Sequence, residues 1–339
     1  MKKYTIIIGL AIAAALLAGA ILWLLLRKTK EISYTGPIEK ISLGAELNMR
    51  TSAVWIAENQ GYFKEQGLDV QIQGFASGRT ALMAMLEEGN LNMVTVTQTP
   101  LMFTSFSRND YAIIAGITHS YSSINILGRR DRGIETPADL KNKKVGVPKG
   151  TTAHFFLDIF LTQNGIPNSD IEVVDFAIDK LVQGLIEGKV DAISAWEPHI
   201  FNAREVLGQN ATLLPNPGLL REDLYFVARN DFTSSHPDAL KKFLKAIDKA
   251  NAFIGENKET AISIVSERTK FDRRTVAAIW DAYTLRLFLD QNTLIILDEE
   301  AKWARAKGLI DGKVIPDYFD YLYLDALEAV KPEALQVIH

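Results

Sequence analysis

The 339-residue chain contains no cysteine. That absence excludes disulfides, thiolate metal sites, a cysteine nucleophile and a lipid tether carried on cysteine. Histidine is scarce: His119, His154, His199, His236 and His339 lie far apart, and no pair has metal-ligand spacing, so no metal is expected. The sequence also lacks HExxH, G-x-S-x-G, a Walker loop and G-x-G-x-x-G, the motifs of several hydrolase and nucleotide chemistries, and nothing calls for a cofactor. No internal repeat of fixed period and no low-complexity tract is present.

What is present is an ordinary globular composition, 47% hydrophobic and 23% charged, long enough for two cores of typical domain size. The formal net charge is −4, but the five basic residues up to Lys30 have no acidic counterpart. Beyond Lys30, 32 basic residues face 41 acidic ones, so the body is acidic. An acidic surface repels nucleic acid, and no nucleic-acid partner is expected.

One long hydrophobic run occupies residues 4–26, behind Lys2 and Lys3. At about 1.5 Å per helical residue it is long enough to cross a hydrocarbon core of about 30 Å. Residues 1–30 are therefore read as an N-terminal transmembrane anchor. A cleaved secretory signal is the alternative, with Ala18-Gly19-Ala20 as a small-residue cleavage site. The apolar run continues past that site to Leu26 and ends in Arg27, Lys28 and Lys30, which favours the anchor. Basic residues flank both ends, so charge sets no orientation. Residues 31–38 form a linker closed by Gly36-Pro37.

After the linker, short apolar runs alternate with helical periodicity, the pattern of α/β layers with largely parallel sheets. Strands are expected at 41–45, 70–74, 93–96, 112–118, 123–127, 145–147, 171–176, 192–195 and 225–228. Helices are expected to begin near Ser52, Arg79, Pro100, Pro137, Thr151, Asp179 and Pro198. From His236 onward the chain reads as mostly helical, including 274–288 and 298–307; Leu240, Phe243, Leu244, Ile247 and Ala250 share one face.

Five stretches occur in order: "AVWIAENQGYFKEQGLDVQI", "ALMAMLEEGNLNMVTV", "TPADLKNKKVGVPKGTTAH", "GLIEGKVDAISAWEPH" and "YFVARNDFTSSHPDALKKFLKAIDKA". Together, over roughly residues 40–255, they resemble the type II periplasmic binding proteins that serve nitrate, sulfonate, taurine and thiamine-precursor ABC transporters. The resemblance implies a two-lobed Venus-flytrap α/β fold with solute held in the interlobe cleft. Lobe 1 would comprise 39–126 plus 225–339, including C-terminal helices, and lobe 2 would comprise 127–224. "SINILGRR" and "LYFVAR" bracket the middle section as two hinge-crossing strands would. The implied partners are a small anionic or polar solute and the permease and ATPase subunits of an importer, on the outer face of the cytoplasmic membrane.

Open α/β sheets bind ligands beyond the carboxyl ends of their strands, where helix N-termini face the crevice. In "KVGVPKGTTAHFFL", Gly150 permits a tight turn, Thr151 or Thr152 can cap the next helix, and the free N–H groups favour an anion. His154 falls in that first turn, where the dipole biases it to the neutral form and a donor role. The bland reading is a self-capping threonine and a solvent-facing histidine; the family resemblance at this stretch favours binding. In "AWEPH", Trp196 either stacks on a flat ligand or packs under the loop, and Glu197 either accepts from a ligand amine or only caps. A Glu197 facing the cleft would disfavour a bare inorganic anion and suit an amine-bearing sulfonate or an aminopyrimidine. The other lobe offers Asn48, Arg79, Thr97 and Gln98, with Tyr121 at the crossover; Arg50 is read as a solvated surface charge.

The rival reading is a biosynthetic enzyme on the same fold. Yeast-type thiamine pyrimidine synthases resemble this family but carry a cysteine-rich motif, which this chain lacks.

Overall fold

The structure, a computed structural model, describes residues 34–310, 312 and 314–338. The chain divides into Met1–Gly36 and Pro37–His339, and both sheets belong to the second unit. The expected anchor at 1–30 lies outside the described residues; among the described residues no helix is long and apolar enough to cross a membrane.

Among the described residues, twelve strands form two sheets. In chain order they are β1 (Glu39–Glu46), β2 (Leu68–Phe75), β3 (Met93–Thr97), β4 (Tyr111–Ser120), β5 (Ile124–Arg129), β6 (Lys144–Val147), β7 (Glu172–Asp175), β8 (Ala192–Trp196), β9 (Ala211–Leu213), β10 (Glu222–Arg229), β11 (Thr284–Asp290) and β12 (Leu335–Gln336). The larger sheet runs β12-β11-β4-β10-β3-β1-β2 and the smaller β7-β6-β8-β5-β9. Both contain a parallel βαβ set, β2-β1-β3 and β7-β6-β8, next to an antiparallel strand, β10 or β5. Strands buried on both faces read as continuous apolar runs, which is why β3 and β4 are plain in the sequence.

Each sheet carries its own core. Trp55, Phe226 and Phe243 fill the larger body, and Phe156, Phe160 and Leu157 fill the smaller. The chain crosses between bodies twice, at residues 121–123 and 214–221. The strands expected to cross do not: β5 lies wholly in the smaller sheet and β10 wholly in the larger. The first crossing is a short polar turn and the second a Pro- and Gly-containing loop, and a run of apolar side chains is better buried inside one sheet than stretched across a joint. Ser123 Oγ donates to Glu222 Oε2 at 2.6 Å, which ties the two crossings together.

A second correction concerns 274–288. The helix stops at Ile279, a single turn follows at Trp280–Ala282, and β11 then pairs with β4. Within "TLRLFLD", Leu285, Leu287 and Leu289 alternate with other residues, a period of two that a helical reading blurs. The following helix begins at Gln291, well before residue 298.

Candidate functional site

The carboxyl ends of β1, β3, β6 and β8 converge between the two sheets, and the chain leaves each in a polar turn. After β1, the Asn48 side chain accepts from Arg50 N–H at 3.2 Å and starts a short helical turn. After β2, Ser77 Oγ caps the Gly78–Met83 helix by accepting from Thr80 N–H. After β6, Gly150 adopts φ +72°, a left-handed value that glycine takes without strain, and the Thr152–Gln163 helix follows. Thr151 is the cap residue by position, but its hydroxyl donates to Pro148 O at 2.7 Å and not to the helix.

Between the bodies lies a central cavity of about 10 Å³, room for roughly one water. Arg79 and Thr97 line it from the larger body, and Thr151, Thr152 and Trp196 from the smaller. Thr99 donates to Thr152 at 3.1 Å, and Thr152 donates to Thr97 at 3.2 Å, so hydroxyls join the bodies across the cavity. Asn48 Nδ2 reaches Glu197 O at 3.2 Å, and Arg79 Nη1 reaches Lys149 O at 2.9 Å. The bodies are closed on one another.

The floor of the cavity is a charge cluster that sequence reasoning missed. Arg50 is only 4% exposed, not a solvated surface charge. Its Nη2 donates to both Glu46 oxygens at 2.7 and 2.6 Å, and its Nη1 donates to Glu222. Burial opposes the guanidinium charge, but Glu222 and Glu46 outweigh it and raise the Arg50 pKa. Burial likewise raises Glu46, and Arg50 offsets that only in part. One cation therefore serves two carboxylates. Arg50 Nε and Trp196 Nε1, both donors and both buried, find no partner among the described residues.

The remaining residues named from sequence fall elsewhere. Glu197 is 8% exposed, accepts from Phe201 N–H at 2.8 Å, and is pushed up to about 7, chiefly by burial. Gln98 is fully buried and spends its amide on Arg221 O and Asp223 N–H, so it braces β10 and does not line the cavity. His154 turns away from the cavity into an outer groove of about 560 Å³ beside Met83, Phe103 and Leu309. Burial lowers its pKa, and its Nδ1 lies 3.4 Å from Gly150 N–H. Tyr121 is 54% exposed and sits edge-on to His119 by a different groove. A second outer groove, about 650 Å³, opens at the cleft mouth between Thr80 and Ile178. Arg79 borders the cavity, the groove beside His154 and the groove at the cleft mouth. No group of metal ligands occurs among the described residues.

A family model described as NMT1/THI5 like matches residues 48–261. A Brucella abortus protein whose name specifies binding and no ligand is 27% identical over 231 residues, 66% of this chain and 69% of that one. The taurine-binding periplasmic protein of Escherichia coli is 24% identical over 226 residues, again 66% of this chain and 69% of that one. The periplasmic aliphatic sulphonate binding protein of Escherichia coli superposes with a TM-score of 0.72 at 19% identity, covering 86% of this chain and 98% of that one. At that identity the likeness shows the fold, the two-sheet α/β architecture of periplasmic binding proteins.

Proposed function

Because the chain belongs to the NMT1/THI5-like family, we propose that it is the solute-binding component of an ABC importer, outside the cytoplasmic membrane, and that it carries out no chemistry on its solute. The bodies built on the two sheets are the lobes, the larger holding β1–β4 and the chain from β10 onward, the smaller holding β5–β9. They part about the crossings to admit a small anionic or polar solute of the sulfonate, taurine, nitrate or thiamine-precursor pyrimidine class. Permease and ATPase subunits then receive it, and the apolar run at 4–26 keeps the protein at the membrane.

The observation that carries this reading is the Glu46–Arg50–Glu222 cluster buried where the strand ends of two sheets face each other. Arg50 Nε and Trp196 Nε1 offer donors to an anionic or acceptor group, while the paired carboxylates Glu46 and Glu222 reward a solute that brings donors. Among the four classes, that favours taurine and aminopyrimidines over nitrate. Arg79, Thr97, Thr151, Thr152 and Trp196 would contact the solute directly; Asn48 and Gln98 would support them.

Thermal shift with taurine, ethanesulfonate, nitrate and a 4-aminopyrimidine tests it, since a ligand at about 100 times its Kd adds about 2.7 kcal/mol of stability. The expected result is an upshift for an amine-bearing solute and its recovery unchanged by mass spectrometry. No shift with any of the four, or turnover of one, would overturn the proposal.

A further inference from the structure

The Gln291–Ala306 helix is built into both bodies at once. Leu297, Ala301 and Ala304 are buried in the larger core, and their neighbour Ile296 is buried in the smaller. Trp303, on the last turns, packs against both cores. Its ring lies 6.1 Å from Phe103 of the larger body, and 5.4 and 4.9 Å from His154 and Phe155 of the smaller.

The polar edge of that ring is equally committed. Trp303 Nε1 donates to Asp158 Oδ2 at 2.7 Å, and Lys307 Nζ stands 3.4 Å from the same oxygen. Asp158 is 5% exposed, and Asn168 donates to its other oxygen, so both carboxylate oxygens are engaged. His154, Phe155 and Asp158 all belong to the helix whose first residue, Thr152, lines the central cavity. Trp303 and Asp158 do not line that cavity.

We propose that Trp303 and Asp158 form an interlobe clamp outside the solute cavity, which positions the cavity-facing end of the Thr152–Gln163 helix and biases the bodies toward closure. Moving Thr152 away from Thr97 and Thr99 swings the rest of its helix as one rigid piece. The same motion draws Asp158 off the indole. A hydrogen bond to a charged, nearly dry carboxylate is among the stronger ones a protein makes, so this contact sets the share of open molecules. The clamp rests on the proposed function only in that a solute must enter where the lobes part.

The cysteine-free sequence allows a direct test. Glu88→Cys and Asp179→Cys place spin labels on opposite walls of the cleft mouth, both exposed, and pulsed electron-electron resonance reads the distance between them without any solute. In the otherwise native chain one short distance is expected. Trp303→Phe, which keeps a ring and loses the N–H, and Asp158→Asn should each add a longer component. Lys307→Met changes only a partly exposed partner and should add a smaller one. Hydrogen exchange at amides 153–157 should quicken in the same variants while the smaller sheet stays protected, which separates opening from unfolding. A long distance already in the native chain, or variants indistinguishable from it in both measurements, would overturn the clamp. Because neither readout needs a ligand, a failed solute screen would sink the proposed function and leave this result standing.

Discussion

Removing the Arg50 guanidinium would leave Glu46 and Glu222 facing one another in a site nearly closed to water. Breaking a buried ion pair from one side typically costs about 3–5 kcal/mol, so Arg50→Ala should lower the unfolding free energy by that order, read from urea titration at pH 7. Glu197 gives a second residue-level expectation, with its sign fixed by the direction of its shift. Its carboxyl titrates at about 7 in the folded chain against an ordinary 4.5, because burial disfavours the charge. The folded state therefore holds a proton that the unfolded chain has released. Its contribution is fully present below about 4.5 and is lost as pH rises through 7. Glu197→Gln should flatten that part of the stability-versus-pH curve, measured by denaturant titration between pH 4 and 8. The sequence displayed the Gly150-Thr151-Thr152 turn because a turn is a local matter. It hid the role of Arg50, whose partner Glu222 lies 172 residues away.

At the level of elements, the Gly78–Met83 helix approaches β3 so closely that a Cβ on Gly78 would stand 2.7 Å from Val96 Cα and 2.9 Å from Thr95 O. Both obstacles are backbone and cannot swing aside. Gly78→Ala should therefore cost about 1–3 kcal/mol and displace Arg79, which calorimetry and a weakened solute affinity would register together. In the smaller body, Phe156 sits at the centre of the core at 1% exposure. Phe156→Ala should cost about 3–5 kcal/mol, read from thermal unfolding. Strands such as β3 and β6 were legible because a short apolar run has few other uses. β11 was not, because a helix that halts at Ile279 and a strand that starts at Thr284 present one unbroken amphipathic stretch.

Across the whole molecule, a few polar contacts join the bodies at the cavity itself. Thr152 holds two of them, and a typical net hydrogen bond contributes about 0.5–1.5 kcal/mol. Thr152→Val should accordingly weaken solute binding by roughly five- to 150-fold in isothermal titration, with little change in the unfolding of the smaller body. The two-body plan was readable from the order of five motifs. Closeness of fit between the bodies was not, since Thr97, Thr99 and Thr152 meet only after both sheets have formed.

The crossings also impose a timetable on synthesis. Every strand of the smaller sheet lies in one uninterrupted stretch, from Ile124 to Leu213, whereas the larger sheet seats β10 between β3 and β4. While the ribosome is still making residue 222, β3 and β4 have no strand to join them, and Arg50 has only one of its two carboxylates. The insert can thus mature first, and the parent domain around it waits for the tail of its own chain.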